Sequence, residues 1–335
     1  MQKRFTVFGF LFLLTPLYGQ SGPTLIGAGY SLPTELMVAP GQIVRLQVTG
    51  LKTVVPQGFQ QATSVPLPTS IAGISVKVNQ YLQDSLAGPP RELPLGNAPI
   101  VSISQVSLCA ASTPDCLATY ITAQIPSGLL VQVGVPPIIL TTLVISENGV
   151  DSQEFAVAAG YDAIHVITTC EGRTLLITSP EQRTCLSVVT HSDGTLVSTD
   201  SPAEPNEVVT IYAWGLGPTT PSVAAGNVTP DTAPILSIPG YPNGLVVRFD
   251  FRPDAPASFL YPTPPITSAK AYLTPGEVGL YQINVQLPDQ FPQIAPCTPL
   301  FGGLLNSIGI LSNLTITLQG PYSFDGARIC VQPTQ

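Results

Sequence analysis

Two stretches 165 residues apart carry one pattern. Pro40-Gly-Gln-Ile-Val-Arg-Leu-Gln-Val-Thr-Gly50-Leu51 aligns with Pro205-Asn-Glu-Val-Val-Thr-Ile-Tyr-Ala-Trp-Gly215-Leu216. Thr119-Tyr-Ile-Thr-Ala-Gln-Ile-Pro126 aligns with Tyr281-Gln-Ile-Asn-Val-Gln-Leu-Pro288 at an offset of 162, and Thr142-Leu-Val-Ile-Ser146 corresponds to Asn313-Leu-Thr-Ile-Thr317. Successive side chains on a strand point to opposite faces, so this period-two alternation reads as strand and not helix. Three matched strands in one order predict two tandem units of one fold, each about 130 residues with many short strands. The expected class is all-β: two tandem immunoglobulin-like β-sandwich domains joined by a small disulfide-tied β-ribbon.

The alternation also assigns faces. Val44, Leu46 and Val48, matched by Val209, Ile211 and Ala213, are expected inward. So are Ile121, Ala123 and Ile125, matched by Ile283, Val285 and Leu287. Gln282, Asn284 and Gln286 then form an outward amide row, with Tyr120, Thr122 and Gln124 as counterparts. A polar outer face is the ordinary state of an antiparallel sheet.

Composition agrees with strands. Only 10% of the 335 residues are charged, against about 25% in an ordinary domain, while Pro numbers 36 and Gly 29. Residues 1–19 have the layout of a secretory signal peptide: a basic head with Lys3 and Arg4, an apolar run from Phe5 to Leu14, and a small residue at Gly19. Without Lys3 and Arg4 the 12 basic residues fall to 10 against 20 acidic, and the net charge moves from −8 to −10. Such a chain is ill suited to neutralise a phosphate backbone, so nucleic acid is not expected as a partner. The apolar stretch Gly128 to Ile145 contains Pro136-Pro137 and is expected as two strands meeting at the prolines, so no membrane span is expected in the mature chain.

Six cysteines fall into three close pairs: Cys109 with Cys116, Cys170 with Cys185, and Cys297 with Cys330. Behind a signal peptide an even count points to disulfides, and no spacing suits zinc. Closing loops of this size contributes about 2.4, 3.0 and 3.7 kcal/mol on chain-entropy grounds. The expected division is a first sandwich over 20–158, a connector over 159–203 with a hairpin turn at Asp193-Gly194, and a second sandwich over 204–335.

Three stretches give the chain a resemblance: His191-Ser-Asp-Gly-Thr-Leu-Val197, Val209-Thr-Ile-Tyr-Ala-Trp-Gly-Leu-Gly-Pro218 and Val278-Gly-Leu-Tyr-Gln-Ile-Asn-Val-Gln-Leu-Pro288. It resembles the Solibacter-type C-terminal domain family, which recurs in secreted proteins of Acidobacteria and has no assigned activity. The resemblance implies an exported immunoglobulin-like β-sandwich of the IPT/TIG type and transfers no catalytic residue. The chain departs from the pattern at Asn206, where the family usually has Gly, at its extra cysteines, and over Phe291 to Ser312, which reads as an extended loop.

Catalytic patterns are missing from the sequence. His165 and His191 are the only histidines. His191, Ser192 and Asp193 are consecutive, their side chains diverge, and they form no triad among themselves. The carboxylates Asp250 and Asp254, and Glu147, Asp151 and Glu154, read as turn residues and not as calcium loops. No catalytic residue, metal ligand or cofactor is expected, although a glycosidase carboxylate pair has no local spacing rule. Asn227-Val-Thr and Asn313-Leu-Thr are sequons that matter only in a eukaryotic host. One surface stands out. Tyr212 and Trp214 occupy the outward phase of their strand about 6–7 Å apart, where the first unit has Gln47 and Thr49. They suit stacking on a sugar ring or a partner side chain unless the connector covers them. The expected role is an exported, non-enzymatic structural or adhesive module at the cell surface. The alternatives are a carbohydrate- or peptide-binding protein using the aromatic pair, with an extracellular glycan or surface protein as partner, and, last, an extracellular hydrolase.

Overall fold

A computed structural model describes residues 22–28, 37–84, 88–109, 116–132, 137–171, 185–241, 245–258, 269–302 and 307–333; the expected signal peptide lies outside them. Among the described residues there is no α-helix, only a 3-10 turn at Pro56–Gly58, and no helix long and apolar enough to cross a membrane.

The first sandwich is built from β1 (Thr24–Ala28), β2 (Met37–Val38), β3 (Ile43–Thr49), β4 (Phe59–Gln61), β5 (Ile74–Gln83), β6 (Arg91–Asn97), β7 (Ile100–Ser107), β8 (Leu117–Gln124), β9 (Ile138–Glu147), β10 (Val150–Asp151) and β11 (Phe155–Ala159). One sheet runs β1-β3-β8-β7-β4 and the other β2-β11-β9-β5-β6, with β10 on the side of β9. Their inner faces share one core that includes Leu46, Val48, Ile103 and Ile121 from one sheet and Val76, Val78, Leu143 and Ile145 from the other.

The second sandwich uses β12 (His165–Val166), β13 (Val189–Thr190), β14 (Val208–Trp214), β15 (Thr219–Thr220), β16 (Ile235–Leu236), β17 (Val246–Asp250), β18 (Lys270–Leu273), β19 (Tyr281–Gln286), β20 (Thr298–Gly302), β21 (Ser307–Leu311), β22 (Leu314–Gln319) and β23 (Phe324–Ile329). Here β12-β14-β19-β18-β16-β15 forms one sheet, with β13 also on β14, and β17-β22-β23 the other. Ile211, Ile283 and Val285 meet Val247, Ile316 and Leu318 across its core.

The sequence offsets carry through to strand register. Val44 pairs with Ala123 and Leu46 with Ile121; 165 and 162 residues later, Val209 pairs with Val285 and Ile211 with Ile283. Val38 pairs in parallel with Ala159, and Ala203 makes a parallel bridge to Val331. Even the turns correspond. Gly41 has φ 73 and Asn206 has φ 63, so the departure from Gly in the second unit uses a residue that tolerates the left-handed region.

All three disulfides join the expected neighbours. The ribbon tied by Cys170–Cys185 is present, with Thr168 bridged to Ser187 and a turn closed by the Gly194 amide on the His191 carbonyl, 3.0 Å. It does not stand apart, however. Its strands β12 and β13 extend the β14 sheet, and Val166, Val189 and Val197 enter the second core. Two expectations are corrected. Of the described residues in the stretch around the prolines, 128–132 are turn and coil and Ile138–Glu147 is strand. The loop expected over Phe291 to Ser312 contains the hairpin β20–β21.

Candidate functional site

Tyr212 and Trp214 lie on the outer face of β14, and both are half-buried. Each ring is partly exposed, neither fully open nor sealed beneath the connector. Trp214 pairs with His165 on β12, and the two rings stack at 5.9 Å with planes 29° apart. Tyr212 sits in a cross-strand line with Gln282 on β19, Tyr272 on β18 and Ile235 on β16. Residues directly opposite one another on adjacent strands share a face, so this line is a continuous outer row of two phenols about an amide.

The amide row divides by function. Ile283, Val285 and Leu287 are buried as the alternation requires, and Tyr281 is inward with them. The Tyr281 hydroxyl donates to the Gly217 carbonyl, clasping the two motifs that carry the resemblance, and burial pushes its phenol well up. Asn284 Oδ1 accepts from Thr210 Oγ1 at 3.2 Å, and Gln286 Nε2 donates to Asn206 Oδ1 at 2.7 Å. Gln124, the counterpart of Gln286, was expected outward and is 5% exposed. It lies between the units, donating to the Gly41 carbonyl at 3.0 Å and accepting from the Gly226 amide at 2.5 Å.

The tertiary structure also assembles a group that the sequence hides. His191 Nδ1 is 2.5 Å from Glu207 Oε1, and His191 Nε2 lies 3.2 Å from Ser201 Oγ, the order of a carboxylate–imidazole–hydroxyl relay. Three observations show how the group is held. First, Nε2 also faces the Ser201 carbonyl at 3.1 Å. Burial pulls His191 down, but the Glu207 carboxylate and that carbonyl more than offset it, so the ring is held toward its charged, doubly donating form. Second, the amides of Ser201, Ala203, Glu204, Asn206 and Glu207 are all bonded already, to Ser198 Oγ, the Cys330 carbonyl, Glu207 Oε2, the Pro288 carbonyl and the Glu204 carbonyl. None of these five amides is free to bind a developing oxyanion. Third, Glu207 accepts from the Glu204 amide as Gln42 accepts from the Ala39 amide in the first unit, so its position is a turn clasp in both.

His165 is held similarly. Its Nε2 is 2.8 Å from Glu171 Oε1 and its Nδ1 3.7 Å from Asp325 Oδ2. Burial opposes ionisation of Glu171, but His165 and the Thr168 amide and hydroxyl hold its carboxyl below the ordinary range. The other suspected carboxylates each have a partner: Glu147 takes the Lys52 and Thr53 amides, Asp151 binds Lys77, Glu154 the Tyr81 hydroxyl, Asp250 binds Arg252 and Asp254 binds Arg328. Among the described residues no cluster of His, Cys, Asp and Glu is arranged to hold a metal ion. Asn313 is 2% exposed and donates to the Ala295 and Val331 carbonyls, both at 2.9 Å, so its amide is a structural group. No family model matches the chain, and no curated protein is significantly similar to it.

Proposed function

We propose that the chain is an exported, non-enzymatic β-sandwich protein that serves as a structural or adhesive module outside the cytoplasm, of the kind implied by its resemblance to the Solibacter-type family. The observation that carries this reading is the junction, where side chains and backbone of one sandwich bond the other directly. Gln124 takes the Gly226 amide, and the Leu67 amide reaches the Gly226 carbonyl at 2.8 Å. Gln42 Nε2 donates to the Ala163 carbonyl at 3.4 Å. Bonding of this sort suits a spacer that must hold two units at a fixed angle. Three disulfides suit an oxidising compartment. Among the described residues, His191, His165 and the five carboxylates named above each face a bonded partner.

The reading is tested on the secreted protein. Export predicts a mature N-terminus near Gln20. A fluorophosphonate probe is expected to leave Ser201 unlabelled, and a hydrolase panel is expected to be blank; turnover abolished by one carboxylate substitution would overturn the assignment. A second reading, carbohydrate or peptide binding, is favoured by the Tyr212–Gln282–Tyr272 line, which offers rings and an amide in register. Glycan-array binding lost in Trp214→Ala or Tyr212→Ala supports it, and a blank array for the wild type counts against it.

A further inference from the structure

Residues 160–166 connect the sandwiches, and their bonds run alternately to the two sides. The Gly160 amide donates to the Val38 carbonyl of the first unit at 3.0 Å, and the Ala163 amide to the Gly215 carbonyl of the second at 2.8 Å. Two carboxylates then brace this linker against the β22–β23 turn reciprocally. Asp162, on the linker and 0% exposed, accepts from the Tyr322 amide at 2.9 Å, the Ser323 amide at 2.8 Å and Ser323 Oγ at 2.6 Å. From the turn side, Asp325 accepts from the Val166 amide at 2.8 Å, and Ser323 Oγ accepts from the Ile164 amide at 2.7 Å. Gly320 makes the room, since a Cβ there would stand 2.3 Å from an Asp162 oxygen. The same turn touches the first unit. Tyr322 packs edge-on against Tyr161 at 5.7 Å, and its hydroxyl donates to the Gln132 carbonyl at 3.4 Å.

We propose that Asp162 and Asp325 form an acid-tightened clasp, closing the joint between the sandwiches more firmly as pH falls from neutral toward about 4 and relaxing it as pH rises. The closed joint keeps the Asp162 carboxylate out of water and leaves the Asp325 side chain 36% exposed, whereas an opened one hydrates both more fully. Burial pushes both groups above the ordinary carboxylate range, outweighing the amides and the Ser323 hydroxyl at Asp162, and the amides, His165 and Arg328 at Asp325. The closed state therefore takes up protons more readily than the open one, and acid favours closure by up to about tenfold per pH unit for each group.

Among the described residues, the groups facing the clasp are few, and Tyr241 also acts on the Tyr322 phenol. Asp162 meets the Tyr322 phenol, which its charge helps push up, and the neighbouring Tyr161; the first unit adds Met37 beside Gly160 and Gln42 beside Ala163, both neutral. Asp325 meets His165, with Glu171 beyond it, and Arg328. The clasp concerns the stiffness of the module and is independent of what the module binds.

The test is amide hydrogen exchange on the mature, oxidised protein from about pH 7.5 to about pH 4.5. Protection factors at Ile164, Val166, Tyr322 and Ser323 are compared with that of the core amide Ile283. Wild-type joint protection is expected to rise on acidification by up to about tenfold per pH unit per carboxylate and to be flat in the Asp162→Asn/Asp325→Asn double variant. Ser323→Ala, which removes a donor to the Asp162 carboxylate, is expected to move the midpoint to higher pH and decides the matter if the double variant does not fold. His165→Gln is expected to retain the slope. A flat or inverted wild-type response, an unmoved Ser323→Ala midpoint, or a slope abolished by His165→Gln would each overturn the clasp.

Discussion

His191 and Glu207 stand in the order of a catalytic relay, and both are tied into the turn around Ser201 and Glu204. The side chains are 13% and 18% exposed, so their bond is screened less than a surface pair. Glu207→Gln is expected to cost about 1–2 kcal/mol in urea unfolding at pH 6. The pH dependence has a definite sign. His191 is raised in the folded state, so its contribution is full below the unfolded value near 6.5 and fades as pH rises through the folded one. The gap in melting temperature between wild type and His191→Ala should therefore narrow from about pH 6 to about pH 9. A gap that widens over that interval would show the imidazole to be bound neutral.

At the scale of elements, buried amide side chains act as extra peptide groups. Gln80, 0% exposed on β5, both donates to and accepts from the Leu130 backbone, at 2.8 and 2.9 Å, and donates to Thr141 Oγ1 at 3.0 Å. Gln105 on β7 does the same for the segment before the 3-10 turn, accepting from the Val55 amide at 2.7 Å and donating to the Thr53 carbonyl at 2.8 Å. A neutral amide meets both a donor and an acceptor without the desolvation cost of a charge, which fits a chain so poor in charged residues. Gln80→Ala leaves the Leu130 groups unmet and is expected to destabilise by about 1–3 kcal/mol. Chemical denaturation checks the magnitude, and a change under about 0.5 kcal/mol would mean that water replaces the amide at this site.

For the whole molecule, covalent ties and close approaches set the limits. Cys297–Cys330 closes the longest loop, 33 residues, and Cys330 is 3% exposed. Replacing both by Ser is expected to cost about 2–5 kcal/mol, more than the same change at Cys109 and Cys116, which span 7 residues. At the junction, Gly215 has φ 73 and a Cβ there would stand 2.1 Å from the Ala163 carbonyl oxygen. Gly215→Ala should therefore destabilise by about 1–3 kcal/mol and disturb the joint. Gly50, its counterpart, has φ 77 and a looser approach of 2.9 Å to the Gly22 carbonyl oxygen, so Gly50→Ala is expected to cost less. Calorimetry on the two variants makes the comparison.

Period-two alternation at Val44–Val48, Ile121–Ile125 and their later counterparts was enough to determine strands, inward faces and the equivalence of the two registers, because a one-residue slip would turn every apolar side chain to water. Local cysteine spacing determined the disulfide partners, since the pairs are neighbours in the chain. Tertiary structure alone decided what Gln124, Asp162, His165 and Glu207 do. Glu207 meets His191 at a separation of 16 residues, Gln124 meets Gly226 at 102 and Asp162 meets Ser323 at 161. Even the nearer pair of His165 with Glu171 depends on how the ribbon folds back. A polar side chain placed between packed sheets carries no periodic mark, and whether it is a base, a clasp or an outer-face amide depends on which donors and acceptors the fold brings against it.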